Sequence, residues 1–383
     1  MKIEVLDTLS GIAPAEWNRL AGTNPFLSHE FLSALHETGC ASPASGWTPQ
    51  FLVLEEEGRL AGAMPLYLKT HSYGEYVFDW AWAQAYSRNG LEYYPKLLCA
   101  IPFTPVTGRR VLAATDEACD RLIAAALALA RALRVSSLHC LFPTASEAQR
   151  MASHGMLRRR TVQFHWTNCG YAHFDEFLAG FSHDKRKKVR QERRKIACAG
   201  IRFRWLAGRD IGEADWRFFY RCYRHTYREH GSIPYLNLEF FLRVGERLAD
   251  RFVLILAQRD GRPIAAALNV RDGSRLCGRY WGALERHPAL HFETCYYQGI
   301  EYCIAHGIAT FEGGARGEHK LARGLTPVET YSAHWLAHPG FASAVEDFLA
   351  REAQGFEHYL DELNERSPFR RLPEAARKAA KVD

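Results

Sequence analysis

Nine consecutive residues, Glu312-Gly313-Gly314-Ala315-Arg316-Gly317-Glu318-His319-Lys320, gather two carboxylates, one imidazole, one guanidinium and one ammonium around three glycines. Glycine lets backbone N–H groups approach a ligand, and the ionisable groups can hold charge or move protons. The run follows the apolar stretch 308–311, read as a buried strand, and a loop leaving such a strand is a common place for an α/β site. Glu312, Glu318 and His319 are therefore the candidate acid–base groups, and Arg316, Lys320 and Arg323 the candidates to hold acidic groups. Tyr280 and Trp281, on a strand expected at 275–282, join them as substrate contacts. The bland alternative is a surface turn closed by its own salt bridges.

A second concentration of charge lies at 185–195, where Lys185, Arg186, Lys187, Lys188, Arg190, Arg193, Arg194 and Lys195 meet one acid, Glu192. Ser182 and Gly200 bracket a helix there, with basic side chains pointing all round it. Charge runs are commonly solvated helix faces, but this density suits phosphate, so Lys185, Arg186, Lys188 and Arg190 are candidates to bind a phosphate chain or nucleic acid. A third region, 73–111, carries too many bulky rings to be a linker. Asp79, Trp82, Tyr86 and Lys96 combine charge with aromatic surface, the composition of an amphipathic ligand pocket as well as of a core.

Other chemistries lack their motifs. There is no GxxxxGK[ST] and no Gly-rich fingerprint with Rossmann spacing, which argues against nucleotide hydrolysis and hydride transfer. His319 and His334 are not in HExxH spacing, and no metal site is expected. Ser87 and Ser182 lack a nucleophile-elbow setting. Ten cysteines without a CxxC pair predict free buried thiols in a reducing compartment.

The elements that must position these groups show a duplication. Residues 51–66 (FLVLEEEGRLAGAMPL) align without a gap on 254–269 (LILAQRDGRPIAAALN), pairing Glu57-Gly58-Arg59 with Asp260-Gly261-Arg262. Each copy reads as strand, tight turn, strand. Upstream, Pro25–Leu32 matches Pro234–Phe241 and Ala15-Glu16-Trp17 matches Ala214-Asp215-Trp216, so a helix, helix, hairpin module occurs twice. A helix capped by Thr115, a strand at 136–142, a short helix from Ser146 and a strand near 162–166 follow the first copy. After the second, Phe292, Cys295, Tyr296, Gly299, Ile300, Cys303 and Ile304 recur at helical spacing and read as core. A helix at about 342–365 and a basic, Ala-rich tail close the chain.

With 383 residues, 47% hydrophobic and 24% charged, the chain fits two globular domains, expected at 1–165 and 166–383, the second carrying the basic helix 182–200 and the C-terminal helix. The fold class is mixed α/β. The net charge of +6 is compatible with a polyanionic ligand. The start has no secretion-signal pattern and no stretch approaches about 18 apolar residues, so a cytoplasmic protein without a transmembrane segment is expected.

Three stretches resemble the FemAB-like N-acyltransferases of the GNAT superfamily: YGEYVFDWAWAQAY from Tyr73 with YYPKLLCAIPFTPVTG from Tyr93; FSHDKRKKVRQERRK, whose Ser182, Arg186 and Arg190 match a Ser-x3-Arg-x3-Arg helix; and GARGEHKLARGLTPVETYSAHW from Gly314. The resemblance implies two tandem GNAT-like domains, each a twisted mixed sheet flanked by helices. It implies transfer of an acyl or aminoacyl group to an amine acceptor, such as a peptidoglycan or other envelope precursor, without a covalent enzyme intermediate. The donor is expected as a co-substrate (acyl-CoA, acyl carrier protein or aminoacyl-tRNA), with no tightly bound cofactor. Partners are tRNA or an acyl carrier protein and no DNA, with peripheral membrane contact left open. The acetyl-CoA pyrophosphate signature is missing in both halves, notably at 280–292. The alternative reading is a non-catalytic GNAT-like protein that binds RNA or an acidic envelope precursor.

Overall fold

The computed structural model describes residues 2–370 apart from Phe78, Ala315 and Arg316. The described residues form two compact units, one of 2–161 with Glu329–His358, the other of Val162–Val328 with 359–370. The expected division at 165/166 thus falls a few residues earlier. Glu329–His358, expected in the second domain, belongs to the first unit, so the helix Pro339–Glu365 begins there. The basic tail lies outside the described residues.

In the first unit an antiparallel sheet runs in the order Lys2–Leu6, Phe51–Glu56, Arg59–Met64, Leu112–Ala113. A second group pairs Trp47–Pro49 with Leu66–Lys69 and Leu66–Lys69 with Lys96–Cys99. It continues with Lys96–Cys99 parallel to Ser137–Leu141, whose other edge pairs antiparallel with Ser332–Leu336. The helix Asp116–Ala132 forms where expected, with Thr115 Oγ1 accepting from the Ala118 N–H. Its buried face (Leu122, Ile123, Ala126, Leu127) packs on Leu52, Leu54 and Met64 of the hairpin. The next helix, Ala145–Ser153, starts one residue before the expected Ser146 because Thr144 and Glu147 close a capping box.

In the second unit one sheet runs Ile201–Ala207, Phe252–Arg259, Arg262–Asp272, Arg275–Ala283, Thr310–Glu312 and the end of Leu157–Thr167. All neighbours are antiparallel except Arg275–Ala283 with Thr310–Glu312. The hairpin duplication is physical. Glu57 and Asp260 share φ 52° and Gly58 and Gly261 share φ 74°, the left-handed pair of a two-residue hairpin turn. The strands slip register at Leu54/Glu55 in one copy and at Ala257/Gln258 in the other, the same point of the alignment. Each copy is preceded by two helices, Pro14–Ala21 and His29–Glu37 in the first unit and Glu213–Glu229 and Leu238–Arg247 in the second.

The stripe from Phe292 to Ile304 is a helical run, as its spacing predicts, but not a uniform one. Leu290–Phe292 leads into a π-helical turn, Glu293–Tyr297, before Gln298–Ala305 resumes the α form. The inserted residue of a π turn widens the helix and is commonly found at functional sites. Ile300 and Cys303 pack with Phe311, Trp166 and Leu276 in the core of this unit.

Candidate functional site

In the second unit the strand Arg275–Ala283 is paired along its length with Arg262–Asp272, yet on its other edge only Arg275–Cys277 meets Thr310–Glu312. Beyond Cys277 the two parallel strands part. A register slip leaves Arg279 as an extra residue opposite Leu268/Asn269, a bulge placed just where the strands separate. A bare glycine lines the parting: a Cβ on Gly278 would sit 3.1 Å from the Glu312 carbonyl oxygen, a contact tight enough that the neighbouring strand would have to shift by a few tenths of an ångström.

The loop leaving Thr310–Glu312 turns through Gly313 and Gly314 and re-enters as the short helix Glu318–Arg323, which turns Lys320 and Arg323 inward and Glu318 and His319 outward. Lys320 is the singular group. It is 2% exposed, its Nζ donates to the Gly314 carbonyl at 2.7 Å, and no carboxylate among the described residues lies within ion-pair distance. Burial without an anion disfavours the ammonium and pushes the Lys320 pKa down to about 8. His319 Nε2 lies 3.1 Å from the Tyr296 hydroxyl, beside the rings of Phe292 and His291. Partial burial, then the charges of Lys320 and Arg323, hold the His319 imidazole below its ordinary value, and burial takes His291 to about 4. Both imidazoles are therefore neutral at pH 7 and able to accept a proton. Trp281 packs on His291 at 5.0 Å between ring centres and borders a pocket of about 480 Å³ with Thr226, Glu285 and Arg286.

Other expected members of this site are committed elsewhere. Glu312 is buried and ion-paired to Arg275 at 2.9 Å, which makes it a structural anion under the splayed strands rather than a free base. Glu318 is exposed and faces Arg366 (2.6 Å) and the Tyr359 hydroxyl (3.2 Å), away from Lys320. Arg323 is buried, with its guanidinium on the His319 carbonyl (2.6 Å), on Glu192 (3.2 Å) and over the Phe292 ring. It fastens the basic helix to the turn that carries Lys320. Tyr280 and Trp281, as strand neighbours, point to opposite faces; Tyr280 packs against Tyr223 and Phe241, so only Trp281 reaches this site. Arg316 lies outside the described residues.

The basic helix is His183–Cys198. Val189 and Ile196 are buried, Glu192 bonds Arg323 and Tyr297, and Arg193 bonds Glu293 and Glu301, so basic side chains do not project from every face as the composition suggested. Ser182 occupies the N-cap without a side-chain cap bond. Lys185 and Lys188 are exposed, Arg186 is half-buried, and Arg190 has only a loose ion pair with Asp175 at 3.6 Å.

Asp79, Trp82, Tyr86 and Lys96 belong to the first unit. Lys96 is fully buried and donates to Ser72 Oγ (2.7 Å), Glu75 Oε2 (2.8 Å) and Asp79. Burial opposes its charge, but the two carboxylates outweigh that and raise its pKa. These carboxylates respond in opposite directions, since burial lifts Glu75 to about 7 while Lys96 and His139 overcome burial at Asp79 and lower it. From Asp79 a hydrogen-bond chain runs inward through Tyr93 (2.7 Å), His139 (2.9 Å), His334 (2.8 Å) and Ser332 (2.8 Å). Asp79 can only accept, so Tyr93 donates to it. Trp82 packs edge-on to His334, and Tyr86 stacks on Phe341. Sequence reasoning missed Glu75, His139 and Lys69; Lys69 is buried over the Trp47 ring and pushed by burial to about 7. Glu75 lies inside the aromatic string already singled out, the one signal available.

All ten cysteines are free, and only Cys198 is exposed. Among the described residues no group of three His, Cys, Asp or Glu is placed to hold a metal ion, and no helix is long and apolar enough to cross a membrane.

The duplicated hairpins, mixed sheets and parting parallel strands define a tandem GNAT-like α/β protein. Residues 8–371 match the model of a family described as peptidoglycan biosynthesis/recognition, and the chain belongs to this FemAB-like family. Among solved structures, FemX matches with a TM-score of 0.54 at 13% identity over 90% of this chain and 100% of FemX. L-PGS from Bacillus licheniformis matches with a TM-score of 0.51 at 9% identity over 84% of this chain and 96% of that one. At these identities the likeness is one of fold. No curated protein sequence matches the chain. Membership of this family suggests N-acyltransferase activity.

Proposed function

We propose that the chain is an N-acyltransferase that moves an acyl or aminoacyl group from an activated donor to an amine by direct attack, with its chemistry at Lys320. The supporting observation is a buried ammonium without an anion among the described residues, held at the mouth of two parting strands. In the proposed step the amine nitrogen attacks the donor carbonyl carbon, forming the C–N bond as the carbonyl electrons move to oxygen. The Lys320 ammonium stabilises that oxyanion, the effect that commonly dominates acyl transfer. His319 takes the proton the amine loses. The intermediate then collapses, breaking the donor's C–S or C–O bond, and the leaving group takes a proton from Lys320, whose pKa of about 8 suits it to give one near neutrality. Solvent returns the proton from His319 to Lys320, so no covalent enzyme intermediate arises.

The exposed cations Lys185, Lys188 and Arg190 supply a field that favours a phosphate-bearing donor such as aminoacyl-tRNA, acyl-CoA or an acyl carrier protein. The family description supports a peptidoglycan precursor as the amine acceptor. Incubation with acetyl-CoA or with aminoacyl-tRNA, each with a lysine-containing stem peptide, tests the reading by mass spectrometry. An N-acylated peptide without an acyl-protein adduct is expected. Donor binding without product from either donor would instead establish a non-catalytic binding protein.

A further inference from the structure

A second concavity of the same unit, about 690 Å³ in volume, is lined by Arg193, Arg194, Arg202, Phe203, Trp205 and Glu293, with Gln298 and Glu301 beside them. It involves three elements: the basic helix His183–Cys198, the edge strand Ile201–Ala207 and the helical run 293–301. Its charges are unbalanced in a specific way. Arg193 is fully engaged, bonding Glu293 at 3.1 Å and Glu301 at 2.7 Å and lying over the Phe174 ring, and it thereby offsets one of the two charges of the acidic wall. Arg194 and Arg202 have no carboxylate within ion-pair distance among the described residues. The same lining holds two half-buried rings, Phe203 and Trp205. Trp205 is fixed by its indole N–H on Gln298 Oε1 at 2.9 Å, and Gln298 is fixed in turn on Glu293 at 2.9 Å.

A groove whose lining includes two guanidiniums without a carboxylate partner among the described residues and two aromatic rings, one of them fixed, complements a planar group that carries phosphate. We infer that this groove binds a nucleoside phosphate, at a site separate from Lys320. Occupancy would also be felt at that centre, because the π turn Glu293–Tyr297 supplies Glu293 to the groove and Tyr296 to His319.

Calorimetry on the full chain with AMP, adenosine and inorganic phosphate tests the assignment. AMP is expected to bind at least about tenfold more tightly than either fragment, since each supplies half of the contacts. Arg194→Ser with Arg202→Ser should weaken AMP by about 10- to 100-fold, the loss of charge-assisted hydrogen bonds. Both side chains are exposed, so an unchanged melting temperature is expected to accompany that loss. Lys320→Met and Lys185→Ser/Lys188→Ser should leave AMP affinity unchanged. Hydrogen exchange of the 293–297 amides should slow on binding. The inference is overturned by absent AMP binding at millimolar concentration, by phosphate binding as tightly as AMP, by indifference to the arginine variants, or by loss of AMP binding in Lys320→Met.

Discussion

Three buried lysines show how neighbours decide what an ammonium can do. Lys96 sits between Glu75 and Asp79 and is locked as a cation, whereas Lys69 and Lys320 have no carboxylate within ion-pair distance among the described residues and burial pushes them to about 7 and about 8. Only Lys320 also lies where a sheet opens, which separates a reactive amine from a structural one. The two residues before it test the orientation of the short helix. Glu318→Gln should change turnover by less than about twofold, because Glu318 is held outward by Arg366 and its exposed ion pair is weak. His319→Asn should slow turnover and remove the acid limb of the pH–rate profile. That limb belongs below 6.5, since burial and the flanking cations lower the imidazole pKa from that value. A His319→Asn profile identical to wild type would dismiss it as the base. The nine-residue loop was legible from composition, but Glu312 and Arg323 were not, because their partners Arg275 and Glu192 lie 37 and 131 residues away in sequence.

At the scale of elements, hairpins were easier to read than the helix they serve. Period-two alternation and an acid–glycine turn identify a hairpin locally, whereas an apolar stripe looks the same whether the helix is uniform or contains the π turn Glu293–Tyr297. The polar chain between strands Ser137–Leu141 and Thr326–Leu336 was also hidden, since His139 and His334 meet only in the fold. Their Nδ1 atoms are 2.8 Å apart, a bond that requires one bare lone pair. Burial and then Lys96 depress His139 to about 3, and His334 falls well below 6.5. The folded state thus refuses protons that the unfolded chain accepts below 6.5, so this contribution to stability is lost as pH falls from there toward 3. Glu75, raised to about 7, acts oppositely, its contribution fading as pH rises through that value. Thermal melting of the first unit should therefore weaken between pH 6.5 and pH 4.5 in wild type and less so in His139→Gln. Equal slopes would mean that the histidine pair takes up protons without unfolding.

At the scale of the molecule, one module has been used twice and kept for different purposes. Both copies retain the same turn angles and the same register slip, so the repeat reflects constraint on the backbone and not only on composition. Gly58→Val and Gly261→Val should each cost about 1–2 kcal/mol, because both glycines occupy left-handed backbone. Hydrogen exchange resolved by unit should show each loss confined to the unit that carries it. What has diverged is the chemistry. The first unit buries Lys96 between two acids, whereas in the second no acid among the described residues pairs with Lys320. The sequence conveyed the repeat through its turn residues but not the return of 329–358 to the first unit, because a strand's sheet partner is not written in its own alternation.

Single-turnover formation of N-acylated peptide by Lys320→Met, set against wild type with the donor that wild type accepts, tests the central claim most directly. Removal of the ammonium should slow the chemical step by about 10²- to 10³-fold, the usual cost of losing one oxyanion donor, with donor affinity retained. Product formed at the wild-type rate would place the chemistry elsewhere in the molecule.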